Sequence, residues 1–220
     1  RTYEGAKETL LPLAFEFNTS PYHKIFNKEE REIADLCIES ISQFFQFSLG
    51  LAAVKEAGNQ SWALRCNASS GNLQQTEAYI IASNIKEIEN GLHHYAPKNH
   101  SLELIADAKK DLNLPEDSFL VAISSIVWRE AWKYGERSWR YTQLDCGHAF
   151  RALQVSAFML GWKVQRMNAN EEELSSLIGL NQIHRYIKEE RESPDMLLLI
   201  SKENISEIIN MQSLRESFQD

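Results

Sequence analysis

Residues Ile33, Leu36, Cys37, Ile41, Phe44, Phe45 and Ser48 recur at intervals of three and four, which predicts an amphipathic helix. Asn27 is placed to cap it, with Glu30 at the third helical position and negative charge in the first turn. Ahead of it, residues 1–26 lack periodicity and contain Pro12 and Pro21, so they read as an extended arm that must lie against another element to be ordered. Gly50 and Gly58 punctuate the stretch after the helix. Apolar runs at 78–83 and 92–95 predict strands, 101–110 a short helix, and the β-branched run from Phe119 to Ile126 a central strand. A polar-aromatic helix near 128–136 leads into a longer one over 138–160. In the latter Leu144, Ala149, Leu153, Ala157 and Leu160 form one apolar face, and Gly161 is the natural stop. A strand at 162–167, a helix at 171–178, a buried strand at 196–200 and an amphipathic tail over 202–220 complete the chain. Strands separated by helices, with both hairpin-like and crossover spacings, predict an α+β sandwich over residues 27–220.

Composition narrows the function. With 43% hydrophobic and 25% charged residues, the 220-residue chain is an ordinary globular one with room for a sizeable core. A net charge of −8 disfavours nucleic acid or an anionic membrane as partner. No stretch approaches the ~18 apolar residues of a membrane span. Cys37, Cys66 and Cys146 are widely spaced and odd in number, which predicts free thiols and a cytoplasmic, reducing setting. His93 and His94 are adjacent and would face opposite sides of a strand, and His100 and His148 lack partners at diagnostic spacing, so no metal site is expected. The sequence opens on Arg1 rather than Met, which reads as a trimmed chain or part of a longer polypeptide.

The densest candidate chemistry lies in Asn67-Ala68-Ser69-Ser70-Gly71-Asn72-Leu73-Gln74-Gln75-Thr76-Glu77. Small and amide residues cannot build a core there, but they can present N–H groups and short donors to a planar polar ligand. The apolar run after it would mount this loop on a rigid strand. Taken alone, the loop also reads as an Asx- and Ser-rich surface turn.

Together with Trp62-Ala63-Leu64-Arg65, this segment resembles the flavin-contacting loop of the nitroreductase-like superfamily, in the branch of the SagB-type dehydrogenases. The resemblance extends through Gly91-Leu92-His93-His94-Tyr95-Ala96-Pro97, His100-Ser101-Leu102-Glu103 and Trp128-Arg129-Glu130-Ala131-Trp132-Lys133-Tyr134-Gly135-Glu136-Arg137. Residues 45–165 are covered, with the segments in family order. It implies a nitroreductase-like fold with a central, mostly antiparallel sheet flanked by helices. It also implies an FMN cofactor held by Arg65, Ser69, Ser70, Gly71, Asn72, Gln74 and Glu77, with Gly161 bringing backbone near the reactive edge of the ring. Lys133 and Tyr134 are nominated as the catalytic pair. Arg137, three residues before Arg140, would clamp a phosphate or else pair with Glu136 or Asp145. Lys133 and Tyr134 point about 100° apart on a helix, so a helix end or a break at Gly135 is needed for both to reach one cleft; the alternative is an amphipathic helix whose lysine snorkels and whose tyrosine packs. Trp128, Trp132 and Trp139 would line a pocket or, as aromatics at helical spacing usually do, pack in the core.

The match has departures. Relatives commonly carry proline where Ala68 stands and His-Pro or Tyr-Pro where Gln74-Gln75 stands, and the Arg-rich opener of the superfamily is met only by Arg1-Thr2. The resemblance is to the first half of a two-half protein, which implies a homodimer or pairing with a second half. The expected activity is hydride transfer between a small-molecule substrate, NAD(P)H or azoline-type, and flavin. The alternative is a degenerate, non-catalytic half serving as a dimerisation partner.

Overall fold

The computed structural model describes residues 1–14, 32–182 and 190–218. Seven strands form one sheet: β1 (Lys7–Leu10), β4 (Thr76–Ala82), β5 (Gly91–Ala96), β6 (Ser101–Asp107), β7 (Ser118–Ser125), β8 (Lys163–Arg166) and β9 (Ser193–Ser201), in the order β1-β6-β5-β4-β7-β9-β8. Every neighbouring pair is antiparallel. A separate hairpin, β2 (Leu51–Ala57) and β3 (Gln60–Arg65), turns at Gly58-Asn59. The helices are α1 (Ile38–Gln46), α2 (Val127–Tyr134), α3 (Ser138–Met159), α4 (Glu171–Leu177) and α5 (Met211–Glu216).

The sheet is covered on both faces, giving three layers. On one side Ala78, Ile80, Phe119, Val121, Leu198 and Ile200 pack against Phe44 and Phe45 of α1 and Ala149, Leu153 and Ala157 of α3. On the other, Tyr79, Ile81, Leu120, Ala122, Leu197 and Leu199 meet Leu174 and Leu177 of α4 and Leu214 of α5. Double coverage explains why β4 and β7 read as continuous apolar runs rather than alternating ones.

Several expectations are corrected. Asn27 and Glu30 lie outside the described residues, but 32–36 are not helical and α1 begins only at Ile38. There Cys37 caps the helix and its N–H donates to Ser40 Oγ at 3.1 Å. The segment 101–107 is a strand, not a helix. Its alternation sends Leu102 into the core with α1 while Glu103, on the opposite face, accepts from His94 Nδ1 at 2.8 Å. Leu144 is 53% exposed, while Ala149, Leu153 and Ala157 of the same helix are buried against the sheet. Trp128, Trp132 and Trp139 are 43%, 70% and 63% exposed, so none is a core residue. The hairpin escaped the sequence reading because β2 is exposed along its whole length and no core side imposes a pattern.

Residues 7–10 add an edge strand to β6, and the Pro12 carbonyl accepts from Ser42 Oγ on α1. A buried chain backs this contact: Tyr95 Oη and His100 Nδ1 lie 2.8 Å apart, as do His100 Nε2 and Ser42 Oγ. Since Ser42 donates its proton to Pro12, His100 carries its own on Nε2 and accepts from Tyr95. Burial pulls His100 below its ordinary value, which suits this neutral role. Cys37, Cys66 and Cys146 are free thiols.

Candidate functional site

The loop that leaves β3 and enters β4 is bent by three left-handed residues: Gly71 (φ +60°), Asn72 (φ +58°) and Gln74 (φ +53°). Two are not glycine, a conformation that costs of order 1 kcal/mol per residue and persists only where surroundings over-determine it. The surroundings do so here. Ser70 donates both its N–H (2.7 Å) and its hydroxyl (2.8 Å) to Asp145, which α3 carries 2% exposed. Asn72 Nδ2 donates to the Ala63 carbonyl at 3.0 Å, the Gln74 N–H donates to Ser69 Oγ at 2.9 Å, and Gln74 Nε2 donates to Asn72 Oδ1. Arg65 holds the Thr76 carbonyl at 2.7 Å.

Lys133 and Tyr134, sequential residues at the end of α2, both reach Gly71. A Cβ placed there would stand 2.5 Å from Tyr134 Oη and 2.6 Å from Lys133 Nζ. Glycine is favoured twice over at this position, by its φ and by the two side-chain tips against it. Lys133 Nζ points to the Gly71 carbonyl at 3.5 Å and lies 5.6 Å from the Tyr134 ring centroid. The helix ends at Gly135 (φ +56°), and the two long side chains converge beyond the backbone despite their angular separation. An ammonium, a phenol and a close backbone approach thus meet at one point.

Not every nominated residue joins them. Glu77 is 1% exposed and the pleat of β4 turns it to the face of Tyr79, away from the loop surface. His94 Nε2 donates to it at 3.0 Å and His94 Nδ1 to Glu103, so both ring nitrogens carry protons and the ring is an imidazolium between two carboxylates. Burial opposes ionisation of Glu77, yet the His94 hydrogen bond and nearby positive charge hold its carboxyl well below the usual range. Burial likewise opposes charge on His94, and the bonds to Glu103 and Glu77 still raise it. Gly161 (φ +77°) lies against residues 32 and 33 at the far end of α3, roughly 24 Å along the helix axis from Asp145. Arg137 is exposed, 6.0 Å from the Tyr141 ring centroid, and Asp145 is committed to Ser70 rather than to an arginine.

Three residues of this site were not singled out from sequence. Asp145 anchors the loop. Arg129, on α2, donates Nη1 to the Gln74 carbonyl at 2.8 Å and grips Glu190 through Nε (3.0 Å) and Nη2 (2.7 Å). Glu130 is wholly buried with neither carboxylate oxygen partnered among the described residues. Burial, then the charge of Asp145, pushes its pKa up to about 7 against a smaller opposing effect of Lys133. The only advance signal was spacing: Arg129 and Lys133 stand one turn apart, hence on one helix face.

The residues suit a flavin at the Gly71 edge, where an ammonium and a phenol stand together against the loop backbone. The hydrogen bonds of Ser70, Asn72 and Gln74 are directed inward, so these side chains shape the loop in this conformation. Among the described residues no group of three or more His, Cys, Asp or Glu could hold a metal ion, and no helix is long and apolar enough to cross a membrane.

Known proteins share this architecture. A chain from Anabaena variabilis, described as a nitroreductase, superposes with a TM-score of 0.64 at 18% identity over 83% of this chain and 43% of its own. One from Ralstonia eutropha gives 0.63 at 15% identity over 93% of both. A chain of the Escherichia coli microcin synthetase McbBCD complex, solved with truncated pro-MccB17 bound, gives 0.60 at 18% identity over 90% of this chain and 79% of its own. In sequence, a Methanocaldococcus jannaschii protein provisionally named a nitroreductase is 25% identical over 103 residues, 42% of this chain and 52% of its own. The chain therefore spans about half the length of that relative. The model of the nitroreductase family matches residues 51–188, which take in the hairpin, the bent loop, both helices that grip it and most of the sheet: the chain belongs to the nitroreductase family.

Proposed function

We propose that this chain is an FMN-dependent oxidoreductase domain whose cofactor ring rests on the loop at Gly71. The observation that carries the reading is the convergence of Lys133 Nζ and Tyr134 Oη on a glycine that no other residue could replace without displacing them. When bound, FMN supplies a hydride-accepting and hydride-donating centre that no side chain offers. The chain's own part is to orient and to manage protons. Ser69 and the left-handed backbone of Gly71, Asn72 and Gln74 present the ring edge, while Lys133 and Tyr134 hold protons beside it. The substrate is a small molecule, NAD(P)H or azoline-type, and the SagB-type branch is the reading that the Trp-Lys-Tyr-Gly-Glu-Arg segment supports best.

Pairing fits the surface. Trp128, Trp132, Trp139 and Leu144 are exposed around the site, as are Leu51, Val54 and Trp62 of the hairpin. Such a surface suits a second copy or a sister half completing the pocket. The test is an FMN titration of the purified chain followed by flavin absorbance, fluorescence quenching and sedimentation. The expected result is a yellow complex whose turnover falls in Lys133→Ala while FMN stays bound. A chain that is colourless once free FMN has been removed, with no quenching during the titration, refutes the enzyme reading for this polypeptide.

The inward hydrogen bonds of Ser70, Asn72 and Gln74 favour one second reading: a non-catalytic half that keeps the fold as a dimerisation partner. It gains support if the colourless chain still self-associates or pairs with a sister half.

A further inference from the structure

Helix α2 touches the bent loop at two carbonyls. Lys133 points to that of Gly71, and Arg129, one turn earlier on the same face, donates to that of Gln74. The two contacts differ in kind. Lys133 is exposed and reaches its carbonyl at 3.5 Å, whereas Arg129 is mostly buried and fixed from behind. Glu190 takes it in a bidentate grip, and Glu77 lies 3.4 Å from Nη1. Glu77 is held in turn by His94, and His94 by Glu103. An unbroken series of charged contacts therefore runs from β6 through β5, β4 and α2 to the backbone of a residue held at φ +53°.

We propose that Arg129 is the positioning residue of the site loop. By clamping the Gln74 carbonyl it holds Gly71, Asn72 and Gln74 in their left-handed conformations, so that Gly71 faces Lys133 and Tyr134. The inference rests on the flavin reading of the loop, but only for what the clamp is for. A left-handed Gln74 is unfavourable in isolation, and a charge-assisted hydrogen bond to its carbonyl is of the right size to offset that cost. No neutral side chain could span both the carboxylates behind and the carbonyl in front, because only guanidinium offers five donors in a planar fork.

The test compares wild type with Arg129→Gln and Arg129→Lys by two readouts. Hydrogen exchange of the peptide covering 67–76, in the protein without flavin, reports the loop itself. FMN affinity and the visible circular dichroism of bound FMN report its use. Loss of a hydrogen bond to a charged group is expected to speed exchange in this segment and weaken FMN binding by about tenfold each in Arg129→Gln, with Arg129→Lys in between. A residue that merely supports the fold would lower the unfolding midpoint and leave the affinity of the folded fraction and its circular dichroism unchanged. That pattern, or exchange within twofold of wild type, overturns the proposal. If wild type takes up no FMN but exchange rises as stated, the flavin reading fails and the clamp stands. If Arg129→Gln does not fold, Glu190→Gln decides by the same two readouts, since it removes the brace and leaves the guanidinium in place.

Discussion

Replacing Glu130 by glutamine is the most direct probe of the electrostatics beneath the site. The carboxyl is wholly buried, neither oxygen has a partner among the described residues, and Asp145 bears negative charge nearby. Its pKa is pushed from 4.5 to about 7, first by burial and then by Asp145. The folded chain therefore retains a proton that the unfolded chain releases above its ordinary value, so stability falls as pH rises through the window from 4.5 to about 7. Integrating that difference gives a destabilisation of about 1 kcal/mol at pH 5 and about 3 kcal/mol at pH 8. Glutamine has the same shape and no charge to lose, so the variant escapes this change. Any fixed effect of its amide is common to both conditions and cancels between them. Urea unfolding followed by tryptophan fluorescence should thus show the variant gaining about 2.5 kcal/mol on wild type between pH 5 and pH 8. A stability difference that stays constant within about 0.5 kcal/mol across that range refutes the reasoning: the carboxyl would then be hydrogen-bonded or ionised throughout.

Other expectations are narrower. Gly71→Ala should lower stability by only about 1 kcal/mol, since the clashing atoms are the tips of Lys133 and Tyr134, but should depress FMN affinity and turnover because both tips are displaced. A full loss of folded signal in circular dichroism would contradict this. Glu77→Gln leaves a buried imidazolium and Arg129 short of a counter-charge and should cost about 3–5 kcal/mol in urea unfolding. His94, whose value is raised, contributes stability that is fully present below 6.5 and fades as pH climbs through its higher folded value. His100, whose value is lowered, works the other way: its contribution is present above 6.5 and disappears as pH drops through the folded value. Acid titration of His100→Ala followed by circular dichroism should therefore show a shallower loss of stability than wild type.

Much of the architecture was legible in the chain, and the reasons differ by element. β4, β7 and β9 announced themselves because a sheet buried on both faces demands uninterrupted apolar runs. α3 was found over nearly its full length from its sheet-facing positions. β6 was misread because seven residues with three polar members fit either period, and the partner that makes Glu103 tolerable in a strand, His94, sits on another element. The hairpin offered only Gly58-Asn59 between unpatterned runs, a turn signal without a core to confirm it. In the site, the loop was visible from its composition and Lys133–Tyr134 from family resemblance. Asp145, Arg129 and Glu130 were silent because their meaning depends on loops and strands far away in sequence. Glu77 misled for a related reason: its neighbours in sequence are loop residues, while its neighbours in space are a buried imidazolium and an arginine.

The β2–β3 ribbon is not part of the main sheet; on its C-terminal side it is tied to β4 by the bent loop and by Arg65, which holds the Thr76 carbonyl. A two-stranded ribbon without backing is marginally stable by itself, so whatever presses on it also decides how firmly it is held. Because its second strand runs straight into the segment carrying Gly71, a body seated on the ribbon would tug on the one glycine against which lysine and tyrosine are set. Pressure on the ribbon would thus reach that glycine through one short stretch of chain.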